Sequence, residues 1–472
     1  MTAAALPLII QGGMGIAVSD WRLARAVSMT GQLGVVSGTA LDSVFIRRLQ
    51  DGDLCGSIRR ALRALPLRDV GEHLIAKYWR PGGRPADEPY RVLPMYKQAV
   101  SVLREQITIA ANFVEVYLAK ESHEGRVGIN LLTKVQMPTL ASLYGAMLAG
   151  VDAVLMGAGI PREIPGALDA LARHEPATLR LDVADDVGAA PTMLEFSPAR
   201  HGTSGKPLRR PEFYAIVSAH SLATTLHRKA SGRVDGFVVE GAVSGGHNAP
   251  PRGALQLNAR GEPLYGERDA VDLTAMRELG VPFWLAGGVG SPEGLRAALD
   301  RGAAGIQVGT AFAFSEESGI TPAIKAEVLR SLAENTLDVF TDPRASPTGF
   351  PFKVVRTPGL EQQDDSRPRV CDLGYLRVAH RRPDGRLGYR CPAEPVAAYV
   401  AAGGGEADTA GRRCLCNGLM SVVGLGQRRK DGSIEPPLLT SGDGVLDLAP
   451  LVGGRTNYTA AHVVEYLLGR GG

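Results

Sequence analysis

No run of about 18 uncharged apolar residues occurs in the 472-residue chain, so the sequence offers no membrane-spanning helix. Cysteine is scarce at 5 residues, which excludes the disulfide framework of a small secreted protein. Charge of one sign is lacking as well. Lys and Arg number 52 against 49 Asp and Glu, and a net +3 gives no electrostatic case for nucleic acid or a membrane surface as partner. The first apolar run, LPLII after Met1–Ala5, has no basic segment before it and no cleavage-like end after it. It is expected to be a first strand rather than a signal peptide, and the expected compartment is the cytoplasm.

Glycine, in contrast, is abundant: 58 residues, well above the roughly 7% of average usage. No collagen-like or low-complexity period accounts for it, so turns and ligand contacts are the expected sites. The first 330 residues alternate short, continuously apolar runs with helical spacing. Eight such runs begin at residues 6, 33, 127, 153, 213, 236, 283 and 305. Continuous rather than alternating apolarity marks strands buried on both faces, as in parallel sheets. Eight βα units predict an α/β TIM (β/α)8 barrel over 1–335, with a doubly wound open sheet as the alternative. Helices are expected over Trp21–Met29, Asp42–Leu49, Val100–Lys120, Leu140–Leu148, Ile164–Arg173, Leu222–Ala230, Val271–Leu279, Pro292–Asp300 and Ala323–Leu332. Residues 51–95, with Pro81-Gly82-Gly83 and Pro85, read as an insertion after the second βα unit. Residues 184–211 and 241–268 read as loops, and Leu179–Leu181 as a short extra strand. The Pro-, Gly- and Arg-rich stretch 336–472 reads as a C-terminal extension packing on the barrel, firmly helical only over Ala460–Leu468.

In a TIM barrel the chemistry sits where strands end. Most of those positions here are glycines: Gly12, Gly13 and Gly15 around Met14, then Gly38, Gly157, Gly245-Gly246, Gly287-Gly288 and Gly309. The loops after strands seven and eight are the usual phosphate site of this fold, and they read LAGGVGSPEGL and IQVGTAFAF. Ser291-Pro292-Glu293 then opens a helix whose N-terminus adds positive dipole. Together these point to a bound phosphate. His247, just past strand six in VVEGAVSGGHNAPPRG, is placed for proton transfer. His220 and His227 are read as structural.

IIQGGMG, LGVVSG, GINLL, GVDAVLMGAGIP, EGAVSGGH, LAGGVGSPEGL and QVGTAF occur in this order, followed by GFPFKVV at 349–355. This set resembles the 2-nitropropane dioxygenase-like family, which contains the nitronate monooxygenases and the FMN-dependent enoyl-ACP reductases. The length and the extension resemble a long subgroup labelled nitronate monooxygenase. The resemblance implies FMN at the barrel mouth. Gly287, Gly288, Gly309 and Thr310 would bind its phosphate with help from Gly245 and Gly246. Gly13, Met14 and Gly15 would lie along the isoalloxazine, and Asn130 would bond the ring or ribityl chain, with Gln307 a minor candidate. Ser218 stands where the family often carries a Lys or other polar group, and Val243 where it often carries Glu. His247 matches the active-site histidine. The implied reaction is oxidation of a nitronate by O2 to a carbonyl compound and nitrite. The alternatives are an NAD(P)H-dependent enoyl reductase acting on acyl carriers, and a flavin-binding protein without turnover. The implied partner is a small-molecule substrate, or an acyl carrier in the reductase reading, with a homo-oligomer as a further expectation.

Cys371, Cys391, Cys414 and Cys416 cluster in the extension. They lack regular zinc spacing, so reduced structural thiols stand beside a metal site as the two readings. Gly202-Thr-Ser-Gly205-Lys206 lacks the spacing of a P-loop and reads as a loop. Arg428-Arg429-Lys430 reads as a solvated turn.

Overall fold

A computed structural model describes residues 6–184, 190–202, 205–360 and 366–470. Thr203 and Ser204 of the P-loop-like stretch, and part of the 184–211 loop, lie outside them.

The eight expected apolar runs all form strands: β1 (Ile9–Gln11), β2 (Leu33–Ser37), β3 (Val127–Leu132), β4 (Ala153–Gly157), β5 (Glu212–Val217), β6 (Gly236–Glu240), β7 (Phe283–Ala286) and β8 (Gly305–Val308). They pair in parallel in the order β1-β8-β7-β6-β5-β4-β3-β2 and close on themselves as a barrel, which excludes the open sheet. Registers such as Ile9↔Ile306 and Ile10↔Leu33 join β1 to β8 and to β2. Nearly every strand residue is buried, because one face meets the helices and the other meets the barrel interior.

Ile10, Val35, Leu155, Tyr214, Val238 and Trp284 belong to one inner cluster. The rings of Tyr214 and Trp284 pack with centroids 4.9 Å apart, and the Trp284 indole N–H donates to the carbonyl of Pro7, ahead of β1, at 2.8 Å. These two large rings fill the N-terminal end of the barrel, so open space is left at the C-terminal end.

Local chemistry sets the helices. Asp20, Ser101 and Ser291 cap Trp21–Ser28, Val102–Lys120 and Pro292–Asp300 by accepting from the backbone N–H groups of Arg22, Arg104 and Gly294. Helix Thr139–Leu148 packs against Val102–Lys120 through Gly145, where a Cβ would stand 2.2 Å from the Ile109 carbonyl oxygen.

Two regions carry more regular structure than their composition suggests. The insertion contains helices Ser57–Ala64 and Arg68–Tyr78. The extension contains an antiparallel hairpin, β9 (Asp338–Asp342) with β10 (Phe352–Arg356), and helices Val396–Ala401, Leu415–Val422 and Ala449–Val452 besides Ala460–Leu467. Leu415–Val422 has Asn417 and Gly418 in its first half and only eight residues, so local propensity alone would not hold it. Its buried Leu415, Met420 and Val422 supply the packing that does. The segment that follows the insertion meets the extension over a buried carboxylate. Asp42 accepts from the hydroxyls of Tyr96 and Tyr375 and pairs with Arg104 at 2.9 Å. No helix among the described residues is long and apolar enough to cross a membrane.

Candidate active site

A cavity of about 470 Å³ opens at the C-terminal ends of the strands, a size that fits a nucleotide-like cofactor with a small substrate. Gly13, Met14, Gly15, Asn130, Gly245, Gly246, His247, Gly287, Gly288, Gln307, Gly309 and Thr310 all line it. Ser218 does not. The chain bends directly after Val217, and Ile216 is the β5 residue that reaches the cavity.

Close approach explains the glycines that matter most. A Cβ on Gly13 would stand 2.3 Å from the Asn130 Cβ, so the loop after β1 lies flat on β3 only without a side chain. Gly287 and Gly288 have φ of +85° and +70°, and a Cβ on Gly287 would meet the Ser244 hydroxyl at 2.6 Å. Gly290 and Ser291 carry this wall into the capped start of helix Pro292–Asp300. The Ser244 Oγ and Gln307 Oε1 are buried with no protein partner. Thr310 Oγ1 accepts from the Gly442 N–H at 3.1 Å, which leaves its own proton free to donate. The free hydroxyl donors of Ser244 and Thr310, an N-terminal helix dipole and side-chain-free backbone are what a phosphate ester requires, while the Gln307 oxygen can only accept. The residues present therefore fit FMN.

The extension completes this mouth, and sequence reasoning missed that. Gly246 donates its N–H to Thr440 Oγ1 at 2.9 Å. Its carbonyl accepts from the Lys353 N–H at 3.0 Å, and the Asp443 N–H donates to the Val243 carbonyl at 3.1 Å. Buried Lys353 bonds Thr341 Oγ1 at 2.8 Å and Asp443 at 2.7 Å, tying the β9–β10 hairpin to the 440–443 segment. The His247 loop is thus held from both sides by residues about 100 and about 200 positions away.

His247 is half-buried against Phe352, with ring centroids 4.9 Å apart and edge-on. Its Nε2 bonds Ser346 Oγ at 2.7 Å, and that oxygen in turn bonds the Thr348 hydroxyl at 2.8 Å. Burial, with a smaller push from Lys134, lowers its pKa to about 4, so it is an uncharged imidazole at neutral pH. Glu240, the last residue of β6, also lines the cavity. Burial alone raises its carboxyl to about 7. The signal for it was present in the sequence: a single acid ending an otherwise apolar strand, where barrel chemistry sits.

The four extension cysteines also share one place. Cys371, Cys391, Cys414 and Cys416 line a small void beside the main cavity, and Cys416 borders both. No disulfide joins them.

Residues 193–380 match the family model described as nitronate monooxygenase. A probable nitronate monooxygenase of Staphylococcus haemolyticus is 36% identical over 160 residues, covering 33% of this chain and 42% of that protein. A (3aS,4S,5R,7aS)-5-hydroxy-7a-methyl-1-oxo-octahydro-1H-indene-4-carboxyl-CoA dehydrogenase of Rhodococcus jostii is 33% identical over 145 residues, covering 30% and 35%. The chain thus spans less than half the length of these curated relatives. The solved structure of FabK from Thermotoga maritima aligns over 99% of this chain and 93% of that one, at 17% identity and a TM-score of 0.45. The segment that resembles the nitronate monooxygenase family is the one that holds β5 to β8 and the His247 loop.

Proposed function

We propose that this protein is an FMN-dependent oxidoreductase of the nitronate monooxygenase type, acting on a nitronate-like substrate with O2 to give a carbonyl compound and nitrite. The observation that carries this reading is the meeting of a glycine-lined, phosphate-ready wall and His247 across one cavity. Gly287, Gly288, Gly309 and Thr310 would hold the phosphate, with Gly13, Met14, Gly15 and Asn130 along the ring. Bound there, FMN supplies the electron transfer that no side chain provides.

The protein's own part is positioning and proton control. His247, uncharged and oriented by Ser346, offers a hydrogen bond to substrate or takes up a proton as charge develops. Glu240 titrates near the working pH and is the group best matched to proton exchange there. The extension excludes water by closing the mouth with Leu438, Leu439 and Leu419.

A second reading rests on the charge of the cavity wall. Its lining includes Glu240 and Asp447 but neither Lys nor Arg. Lys134 acts on His247 from outside this lining, so an anionic nitronate touches no cation on the wall itself, whereas an uncharged enoyl thioester needs none. That favours, as the alternative, an NAD(P)H-dependent enoyl reductase acting on an acyl carrier.

Aerobic turnover separates the two. A flavin-containing preparation that releases nitrite from a nitronate without NAD(P)H supports the first. Consumption of NADPH only with an enoyl thioester replaces it with the second. A preparation that takes up no FMN refutes both.

A further inference from the structure

We propose that Cys371, Cys391, Cys414 and Cys416 ligate an iron–sulfur cluster at the edge of the cofactor cavity. The site stands independently of the flavin reading. It is assembled by the fold from separate stretches. Cys391 directly follows strand Leu387–Arg390, Cys414 is the N-cap of helix Leu415–Val422, Cys416 lies in that helix's first turn, and Cys371 comes from the segment before Tyr375. All four cysteines line one void. Cys416 lies within electrostatic range of the other three, and Cys391 within range of Cys371 and Cys414.

Packed interiors close voids, and a hollow walled by thiols is not a packing solution. A water-sized sphere can move its centre through about 20 Å³ of this one, so the room clear of protein atoms extends a further water radius on every side.

Burial pushes all four thiols up, and hydrogen-bond donors at three of the sulfurs pull the other way. The backbone N–H of Ala393 faces the Cys391 sulfur, that of Asn417 faces Cys414, and that of Tyr375 faces Cys416. The Asn417 side-chain amide adds a donor to Cys414 at 3.8 Å. N–H donors to sulfur are the protein's means of holding a cluster and setting its potential. Arg377 and Arg367 approach the sulfurs of Cys371 and Cys414, against Asp372, Glu394 and Glu435.

Spacing distinguishes a cluster from a single ion. A tetrahedral zinc at about 2.3 Å from each sulfur draws four thiolates into mutual contact. Among the described residues, no group of three or more His, Cys, Asp or Glu side chains is arranged to hold a metal ion in that way. A [4Fe–4S] cluster gives each cysteine its own iron, so its four sulfurs stand further apart around a shared centre. Four cysteines at one void, in no arrangement that closes on a single ion, match the four-thiolate ligand set of a cluster.

The test uses the full chain, purified anaerobically and also reconstituted with ferrous iron and sulfide under a reductant. Iron, acid-labile sulfide, zinc and flavin are each quantified per chain. The expected result is stoichiometric iron with sulfide, and an electron-paramagnetic signal on reduction. Cys391→Ser and Cys414→Ser should lose iron by more than the ~10–100-fold that outer-shell changes cost in affinity, while Cys55→Ser keeps it. Zinc without sulfide, no iron or sulfide after reconstitution, or iron retained by both variants would each overturn the assignment. If the variants do not fold, the metal and sulfide content of the unaltered chain decides. Because flavin is measured separately, a flavin-free protein that loads iron and sulfide would defeat the flavin reading and leave this one standing.

Discussion

Replacing Glu240 by glutamine keeps the shape of a cavity-lining side chain and removes its titration. In the folded chain burial raises this carboxyl from 4.5 to about 7. In the unfolded chain it returns to the ordinary value. Below about pH 4.5 both states hold the proton, and the group makes no difference to stability. As pH rises, the unfolded chain ionises first, the folded state is left binding more protons, and stability falls until about pH 7. A shift of about 2.5 units at 1.36 kcal/mol each sets a ceiling of about 3 kcal/mol on that loss. Glu240→Gln should therefore gain on the unaltered protein by about 2–3 kcal/mol between about pH 4.5 and pH 8. The assay is denaturant unfolding of both proteins at a series of pH values. The quantity read is how the difference between them changes with pH, in which any constant effect of the substitution cancels. A difference that stays flat across that range would falsify the claim that this carboxyl is desolvated, and with it the role of Glu240 in proton exchange.

Other outcomes follow from the same geometry. His247→Ala should keep FMN and lower turnover at least ~100-fold; steady-state rates on flavin-replete protein check this, and an unchanged rate removes the imidazole from the chemistry. Gly288→Asp places a charged side chain at φ +70° on the phosphate wall. Flavin should be absent after purification while the melting profile survives, and retention of stoichiometric FMN defeats the phosphate assignment. Gly145→Ala gains about 1 kcal/mol of helix propensity but sets a methyl 2.2 Å from the Ile109 carbonyl oxygen. The clash should win, with a net loss of about 1–2 kcal/mol in unfolding free energy, and an unchanged or raised midpoint would show that the two helices part freely.

How much was legible can be followed residue by residue. Gly287, Gly288 and Gly309 announced themselves because a strand end stripped of side chains is visible in one dimension. Glu240 was legible in principle, as an acid closing an apolar run, but its raised carboxyl depends on neighbours that the sequence does not name. Ser218 looked right by position, and a bend after Val217 took it off the cavity wall. The helix Leu415–Val422 was invisible to local propensity because packing holds it.

Sequence alone determined the eight barrel strands and the glycine-rich mouth, since burial on both faces and freedom from a Cβ are properties written position by position. Tertiary structure alone decided which distant segments close that mouth. Thr440, Asp443 and Lys353 reach the His247 loop, and four cysteines from separate stretches come to ring one void. Such meetings depend on how the extension folds back over the barrel, and no local pattern in the chain encodes that path.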